Sequence, residues 1–170
     1  MLEGLYPQLE IPSVYGFDFR KAYAEGVRGL IFDIDNTLVP HDAPADARAE
    51  GLVRNLKDMG FCLTIVSNNS EERVVTFTER MGIPYVCRAH KPSPAGYLAA
   101  CQKMDLVPEQ VLFFGDQIFT DIWGANRAGV KSVLVAPLDP DTDLFQIRLK
   151  RLLEKPVLWA FHRRQRRQAS

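Results

Sequence analysis

The feature that most restricts the folds open to this chain is a short apolar run that ends in two aspartates, LIFDID at residues 30–35. Apolar runs of this length rich in aliphatic and aromatic residues indicate a buried strand. Side chains alternate along a strand, so Asp33 and Asp35 would point to the same side if the strand stayed regular. Asn36 follows them and tolerates a left-handed turn. Two carboxylates at the end of a buried strand suit metal-assisted group transfer, in which one attacks and the other moves a proton.

Further apolar runs follow along the chain, each separated from the next by a helix-like stretch. Strands are predicted over residues 29–35, 61–67, 84–88, 110–115 and 130–136, and helices over 46–57, 70–81, 93–104 and 120–128. Continuous apolar strands that alternate with amphipathic helices are typical of a parallel sheet covered by helices on both faces. The sequence therefore predicts an α/β fold.

The two ends of the chain lie outside this alternation. Residues 1–28 contain five aromatic residues and are predicted to form an N-terminal extension that packs on or near the core. Residues 29–141 would form the core itself. Residues 142–170 are predicted to be a basic amphipathic segment that begins as a helix and is interrupted by Pro156.

Bulk composition indicates a soluble globular protein. The chain has 170 residues, 46% hydrophobic and 25% charged, which suits one domain with a single core. No stretch is long and apolar enough to span a membrane, and the first residues lack the features of a signal peptide, so we expect a cytoplasmic protein or its organellar equivalent. Three cysteines without a CxxC spacing indicate reduced thiols rather than a zinc site.

The net charge of zero conceals an asymmetry along the chain. Residues 148–170 contain eight of the 21 basic residues and one of the 21 acidic ones, a charge of +7, which leaves −7 on the rest. Basic residues interleaved with Trp159 and Phe161 make this segment a candidate for peripheral contact with an anionic membrane. Alternatively, residues 144–153 pack on the sheet and the arginines form a solvated tail. Nucleic-acid binding is not predicted, because no recognition motif accompanies the arginines.

Polar residues suited to a phosphate and metal site follow four of the predicted strands. They are Asp33 and Asp35 after the first, Ser67 and Asn68 after the second, Lys91 near the third, and Asp116 and Asp121 after the fourth. Ligands of open parallel sheets bind at the carboxyl ends of the strands, and a helix N-terminus such as the one after Ser67 favours phosphate. Carboxylate oxygens suit Mg²⁺. We therefore expect these residues to meet in one site.

The motifs DIDNT, SNN, the isolated Lys91 and GDQIFTD, in this order, resemble those of the haloacid-dehalogenase-like (HAD) phosphatases. The longer segments around these motifs are similar to those of subfamily IIIA: FDIDNTLV, TIVSNNSEERV, HKPSPAGY and GDQIFTDIWGANRAG. Within this subfamily, the segments resemble those of the YqeG-type phosphatases, which are related to the mitochondrial phosphatidylglycerophosphate phosphatase. The resemblance covers roughly residues 29–136 and implies a Rossmann-like HAD fold.

The resemblance also implies the reaction. Asp33 would be the nucleophile that accepts the phosphoryl group as an aspartyl-phosphate. Asp35 would protonate the leaving alcohol and then activate the water that hydrolyses the intermediate. Ser67 and Lys91 would hold phosphoryl oxygens, and Asn68 at the same helix N-terminus would add a phosphate donor. Charge neutralisation and positioning of this kind are what phosphoryl transfer requires.

For the metal ion, the resemblance implies Mg²⁺ bound by Asp33, Asp116 and the backbone carbonyl of Asp35. Asp121, the second acid of the last motif, would be a ligand either directly or through water, although it could instead only brace its loop.

Other polar and aromatic residues near these motifs have simpler interpretations. Ser70 is interpreted as the cap of the following helix, whereas the functional role is favoured for Ser67. His41 is interpreted as a rim residue of the site, and Trp123 as a core residue on its helix.

The spacing between the motifs leaves no room for a cap domain. Residues 35–67 accommodate one helix and one strand, and residues 67–91 a helix and a short strand. An open site suits a substrate presented on a large surface. The resemblance to the YqeG-type phosphatases, which the open site and the basic tail support, implies that the reaction is conversion of phosphatidylglycerophosphate to phosphatidylglycerol. Two alternatives stay open: a phosphatase for a soluble nucleotide or sugar phosphate, and a non-catalytic interaction protein that retains the fold and binds through its basic tail.

Overall fold

A six-stranded parallel sheet forms the centre of the computed structural model, which describes residues 3–142 and 145–168. The strands are β1 (Leu9–Ile11), β2 (Gly29–Phe32), β3 (Cys62–Val66), β4 (Tyr85–Val86), β5 (Val111–Gly115) and β6 (Lys131–Val135), in the order β1-β6-β5-β2-β3-β4. Every pairing is parallel. In the register, Phe32 lies level with Ile65 and Phe114, so three strands end close together. The predicted parallel sheet is confirmed.

Six α-helices accompany the sheet in the described residues. They are α1 (Phe19–Ala24), α2 (Ala47–Asp58), α3 (Glu71–Thr78), α4 (Ala95–Lys103), α5 (Trp123–Arg127) and α6 (Phe145–Gln168). The Asp46 side chain accepts a hydrogen bond from the Ala49 N–H at the start of α2. Ser70 caps α3 in the same way through the N–H of Arg73, which agrees with its interpretation as a cap.

Helices cover both faces of the sheet, because successive strand residues point in opposite directions. Leu30 and Phe32 join the core on the side of α2 and α3, while Ile31 between them joins the core on the side of α4 and α5. The same alternation separates Phe113 from Phe114 on β5. This arrangement confirms the predicted fold class.

The strand that leads to the two aspartates is shorter than predicted. β2 ends at Phe32 rather than at residue 35, and Asn36 adopts a left-handed backbone with φ of 59°. The turn is held by the Asn36 N–H, which donates to the Val39 carbonyl at 2.7 Å. Asp33 and Asp35 therefore lie on a turn, and strand alternation does not orient them.

Residues 3–28 add a strand to the sheet that the sequence did not reveal. β1 pairs with β6 at one edge, and Val14 and Phe19 are buried in the core. The run Leu9–Ile11 is too short to show a pattern, and Leu9 itself is half exposed. Division of the chain at residues 28 and 141 stays a prediction.

The described part of the C-terminal segment contains one continuous helix over Phe145–Gln168, so the predicted interruption at Pro156 is wrong. α6 runs for 24 residues with Pro156 inside it. Proline removes one hydrogen bond from a helix. The residues Val157 and Phe161, which follow Pro156 on α6, are buried, and we attribute the continuity of the helix to this packing. Residue 144, the first of the stretch expected to pack on the sheet, lies outside the described residues. Among these residues, no helix has the length and apolar content needed to cross a membrane.

The segments between the site loops contain only the elements that the spacing predicts. Between β2 and β3 the chain forms a loop and α2, and between β3 and β5 it forms α3, β4 and α4 with a 3-10 turn. Residues 33–110, all of them described, therefore contain no inserted domain.

Candidate active site

Four of the charged residues predicted for the site are buried together at the carboxyl ends of the strands. They are Asp33, Lys91, Asp116 and Asp121, each at most 8% exposed. One oxygen from each of the three aspartates lies within 4.8 Å of the others. The loop after β2 is tied to β5 by the Asp33 N–H, which donates to the Phe114 carbonyl at 2.9 Å. Residues distant in the sequence thus form one acidic cluster.

Lys91 lies between two of these carboxylates. Its Nζ donates to Asp33 Oδ1 and to Asp121 Oδ1, both at 2.7 Å. The backbone of Lys91 is held by Asn68, whose Oδ1 accepts from the Lys91 N–H at 2.7 Å and whose Nδ2 donates to the Lys91 carbonyl at 3.3 Å. The Asn68 side chain thereby fixes the lysine loop, while its role as a phosphate donor stays a prediction.

Ser67 lies at the end of β3 and is almost fully buried. Its Oγ accepts a hydrogen bond from the Asn69 N–H at 3.1 Å, which shapes the turn into α3. The hydroxyl hydrogen can still be donated elsewhere, since accepting a bond does not use it. The predicted phosphate contact of Ser67 is compatible with this geometry and stays a prediction.

Asp35 lies apart from the buried cluster, at a more exposed position. Its Oδ2 accepts from Asn69 Nδ2 at 2.6 Å, and its Oδ1 accepts from Arg73 Nη2 at 3.1 Å and from the Asp42 N–H at 3.0 Å. Arg73 also donates to the Ala43 carbonyl at 2.7 Å. Arg73 was not predicted as a site residue, although its place in the first turn of α3, after the SNN motif, is a signal that could have found it.

The two acids of the last motif differ in how their oxygens are used. Both Asp121 oxygens have donors, because Lys91 contacts Oδ1 and the Gln117 N–H contacts Oδ2 at 3.1 Å. Asp116 Oδ2 accepts from Arg151 Nη2 at 2.6 Å, whereas Asp116 Oδ1 is buried without a hydrogen-bond partner. A buried carboxylate oxygen that lacks a donor and lies near other carboxylates fits a divalent cation. The bracing role suggested for Asp121 is compatible with its contacts, and metal coordination by Asp121 stays a prediction.

Burial of like charges shifts the ionisation of the cluster. Burial, together with the charge of Asp121, raises the pKa of Asp33 to about 7 against the opposing effect of Lys91. Burial likewise raises the pKa of Asp116 well above its ordinary value, with Asp121 and Asp33 adding to the shift and Arg151 opposing it. Burial alone would lower the pKa of Lys91, but Asp121 and Asp33 hold it above the ordinary value. The cluster therefore favours additional positive charge.

Two residues of α6 reach this site, and the sequence did not predict either. Arg151 Nη1 donates to the Asp116 carbonyl at 3.2 Å, in addition to its contact with the carboxylate. Glu154 Oε1 accepts from the Ile118 N–H at 2.7 Å. The site is thus less open than the lack of a cap domain predicts, because α6 lies against its Asp116 side. No local motif marks Arg151 or Glu154, since their partners are more than 30 residues away.

Two aromatic side chains near the site can be compared with their predictions. His41 is partly buried, and one of its ring nitrogens lies within 4.8 Å of carboxylate oxygens of Asp35 and Asp42, in accordance with a rim position. Trp123 was interpreted as a core residue, which is wrong: it is 39% exposed. Its ring packs against the Arg127 guanidinium, 5.4 Å from the ring centroid, at the start of α5.

Comparison with known proteins adds independent findings. A family model described as haloacid dehalogenase-like hydrolase matches residues 42–129. The chain is 36% identical over 159 residues to the probable phosphatase YqeG of Bacillus subtilis (strain 168), which covers 93% of this chain and 92% of that protein. It is 28% identical over 159 residues to the chloroplastic phosphatidylglycerophosphate phosphatase 1 of Chlamydomonas reinhardtii, covering 88% of this chain and 59% of that protein.

A solved structure shares the fold. The cobalt-bound form of the deoxy-D-mannose-octulosonate 8-phosphate phosphatase from Haemophilus influenzae is similar with a TM-score of 0.52 and 16% identity. The similarity covers 65% of this chain and 69% of that chain. At this identity the likeness concerns the architecture of sheet and helices alone.

Proposed function

Since this chain belongs to the haloacid dehalogenase-like hydrolases and is a phosphatase of that family, we propose that it is a Mg²⁺-dependent phosphomonoesterase acting on phosphatidylglycerophosphate. Phosphatidylglycerol would be the product. One observation carries the proposal of the chemistry: Asp33 is paired with Lys91 beside a buried Asp116 oxygen that lacks a donor. The substrate is suggested by the chloroplastic relative that bears the name of this activity.

In the first half of the proposed reaction, a carboxylate oxygen of Asp33 attacks phosphorus and forms an aspartyl-phosphate. The bond from phosphorus to the substrate oxygen breaks, and Asp35 donates its proton to that oxygen as the alcohol leaves. In the second half, Asp35 removes a proton from water, which attacks phosphorus and releases inorganic phosphate. Asp33 returns to its free carboxylate form.

The remaining residues would bind and neutralise the phosphoryl group. Lys91 Nζ, which lies 2.7 Å from Asp33 Oδ1, would contact a phosphoryl oxygen next to the nucleophile. Ser67 and Asn68 lie where β3 passes into α3, and the N-terminus of that helix favours an anion. Phosphoryl transfer depends chiefly on such positioning and charge neutralisation.

The acidic cluster fits Mg²⁺, because this ion prefers a few carboxylate oxygens together with substrate phosphate. Asp33, Asp116 and the backbone carbonyl of Asp35 would hold it, with Asp121 as a further ligand or as the brace of the loop. When bound, the ion would neutralise charge that develops on the phosphoryl oxygens.

A lipid substrate is supported by the outer face of α6. We use this name for its exposed residues Phe145, Leu149, Leu152, Leu153, Trp159 and Arg163. Positions 145, 149, 152, 159 and 163 are three, four or seven residues apart, so they line one side of the helix. Arg163 stacks over the Trp159 ring at 5.3 Å. An exposed stripe of apolar residues beside arginines suits the surface of an anionic leaflet.

A substrate panel tests the proposal. Purified protein would be assayed for phosphate release from phosphatidylglycerophosphate in mixed micelles, an aryl phosphate, a nucleotide and a sugar phosphate. We expect the lipid to give the highest kcat/KM, chelation to abolish turnover, and Mg²⁺ to restore it. A soluble phosphate preferred over the lipid would refute the substrate assignment, and full activity after exhaustive chelation would refute the metal assignment.

A further inference from the structure

The guanidinium of Arg151 contacts Asp116 at two points. Nη2 donates to the carboxylate Oδ2 at 2.6 Å, and Nη1 donates to the backbone carbonyl at 3.2 Å. A planar guanidinium that bonds both groups fixes the carboxylate relative to its own backbone, which a single donor would not do. The Asp116 side chain is 1% exposed, so water is not available to replace these bonds.

This contact determines which carboxylate oxygen of Asp116 has no hydrogen-bond donor. With Oδ2 engaged by Arg151, Oδ1 is buried without a partner. The Asp116 carboxylate also belongs to the group of three whose oxygens lie within 4.8 Å of one another. Arg151 thus leaves one oxygen of Asp116 free for a cation near Asp33 and Asp121.

Arg151 is held in place by the rest of α6. One turn further on, Glu154 accepts a hydrogen bond from the Ile118 N–H, two residues after Asp116. Val157 packs in the same apolar cluster as Ile118 and Ile122. The helix is therefore anchored to the loop that presents Asp116, and the guanidinium has a defined position.

The charges of the cluster leave room for a cation even with Arg151 present. Among the residues that the structure describes, the carboxylates of Asp33, Asp116 and Asp121 pair with the two cations Lys91 and Arg151, so the formal sum of these five groups is one negative charge. The excess negative charge of the cluster offsets the repulsion between the guanidinium and a bound metal ion. The main effect of Arg151 is then to fix the orientation of the Asp116 carboxylate.

We propose that Arg151 is a positioning residue of the metal site, which orients Asp116 so that one carboxylate oxygen faces the ion. The inference rests on the proposed function in taking Asp116 as a metal ligand. Groups that hydrogen-bond metal ligands typically contribute about 10- to 100-fold to metal affinity.

The test measures ion binding directly, without turnover. Mn²⁺ would be titrated into the full-length protein and the free ion followed by electron paramagnetic resonance, with Mg²⁺ affinity obtained by competition. We expect Arg151→Ala to weaken binding about 10-fold or more, and Arg151→Lys to fall between it and wild type, because lysine keeps the charge but loses the two-point contact. Lys150→Ala removes an exposed charge from the next position of α6 and should leave binding unchanged.

Two outcomes separate this inference from the proposed function. Circular dichroism melts would verify that each variant is folded, and Arg151→Lys keeps the test valid if Arg151→Ala is not. Wild-type or tighter ion binding by the folded Arg151 variants would overturn the positioning role. If Asp116→Asn binds the ion as wild type does, Asp116 is not a ligand, and the metal assignment of the proposed function fails as well.

Discussion

Asp33 combines two properties that are costly to maintain in a folded protein: it is buried, and it lies close to other carboxylates. Lys91 offsets this cost through a bond of 2.7 Å, but the pKa of Asp33 is still raised to about 7. Groups with strongly shifted pKa values cluster at the reacting sites of enzymes. A substitution that keeps the shape of Asp33 and removes its charge therefore isolates its chemical role.

Asp33→Asn should reduce hydrolysis of an aryl phosphate by about 1000-fold or more, because an amide is a poor nucleophile and a weak metal ligand. The fold should survive, since asparagine has nearly the same volume. Steady-state rates and thermal melts of the two proteins provide the measurement. Asp42→Asn is the matched control, because Asp42 is an exposed neighbour of Asp35 and should tolerate the change. A near wild-type rate for Asp33→Asn would eliminate the aspartyl-phosphate mechanism.

Glu154 gives a prediction about pH and stability. Burial raises its pKa from 4.5 to about 7, so the folded protein binds this proton more tightly than the unfolded chain. The associated stability is complete below pH 4.5 and is lost as the pH rises through 7. Glu154→Gln removes this loss and retains an acceptor for the Ile118 N–H. We compare the free energy of unfolding of the variant with that of wild type at each pH. This difference should shift in favour of the variant by on the order of 2 kcal/mol as the pH rises from 5 to 8.

Urea unfolding of both proteins at several pH values measures this difference. If the difference in free energy of unfolding between wild type and Glu154→Gln stays constant from pH 5 to pH 8, the raised pKa of Glu154 is contradicted. Glu109→Gln, at an exposed position, should show no such trend.

At the scale of secondary structure, α6 has two faces with different surroundings. One face bears Arg151 and Glu154 together with the buried Val157 and Phe161, and it packs beside the loop after β5. The opposite side is the outer face. Removing residues 156–170 would delete buried anchors as well as arginines, so we expect truncation to lower activity on soluble substrates too. Docking must therefore be tested by substitutions on the outer face alone.

The double variant Trp159→Ala/Arg163→Ala should bind vesicles that contain anionic lipid about 10-fold more weakly than wild type, because an inserted aromatic ring and a paired charge are lost. Its activity on an aryl phosphate should stay near that of wild type, since both side chains are exposed. Co-sedimentation at two ionic strengths provides the measurement, and wild-type binding should weaken with salt.

The chain contains a matched control for this experiment. Trp123 and Arg127 form another pair of tryptophan and arginine, with the guanidinium 5.4 Å from the ring centroid, and both residues belong to α5 rather than to α6. Trp123→Ala/Arg127→Ala should leave vesicle binding unchanged. Equal binding by the α6 double variant and wild type would show that the outer face does not dock on lipid.

For the molecule as a whole, sequence patterns predicted the features that arise from local periodicity. The inner strands and most helices were found within a few residues, because buried apolar runs and caps such as Ser70 leave clear signals. The motif order predicted that Asp33, Lys91 and Asp116 meet. Features that depend on contacts between distant segments were missed. Pro156 suggested a break that packing of α6 overrides, and Arg151 finds its partner 35 residues away.

Both edges of the sheet are formed by its shortest strands. β1 has three residues and β4 has two, whereas each inner strand has four or five. Edge strands with unpaired N–H and C=O groups can recruit other chains into aggregates, and short ones offer little template for such growth. The largest group of exposed apolar side chains on one element of this phosphatase lies instead on α6, whose backbone groups bond within the helix. The molecule can thus expose the apolar outer face of α6 to solvent without exposing a long strand edge from which fibrils could grow.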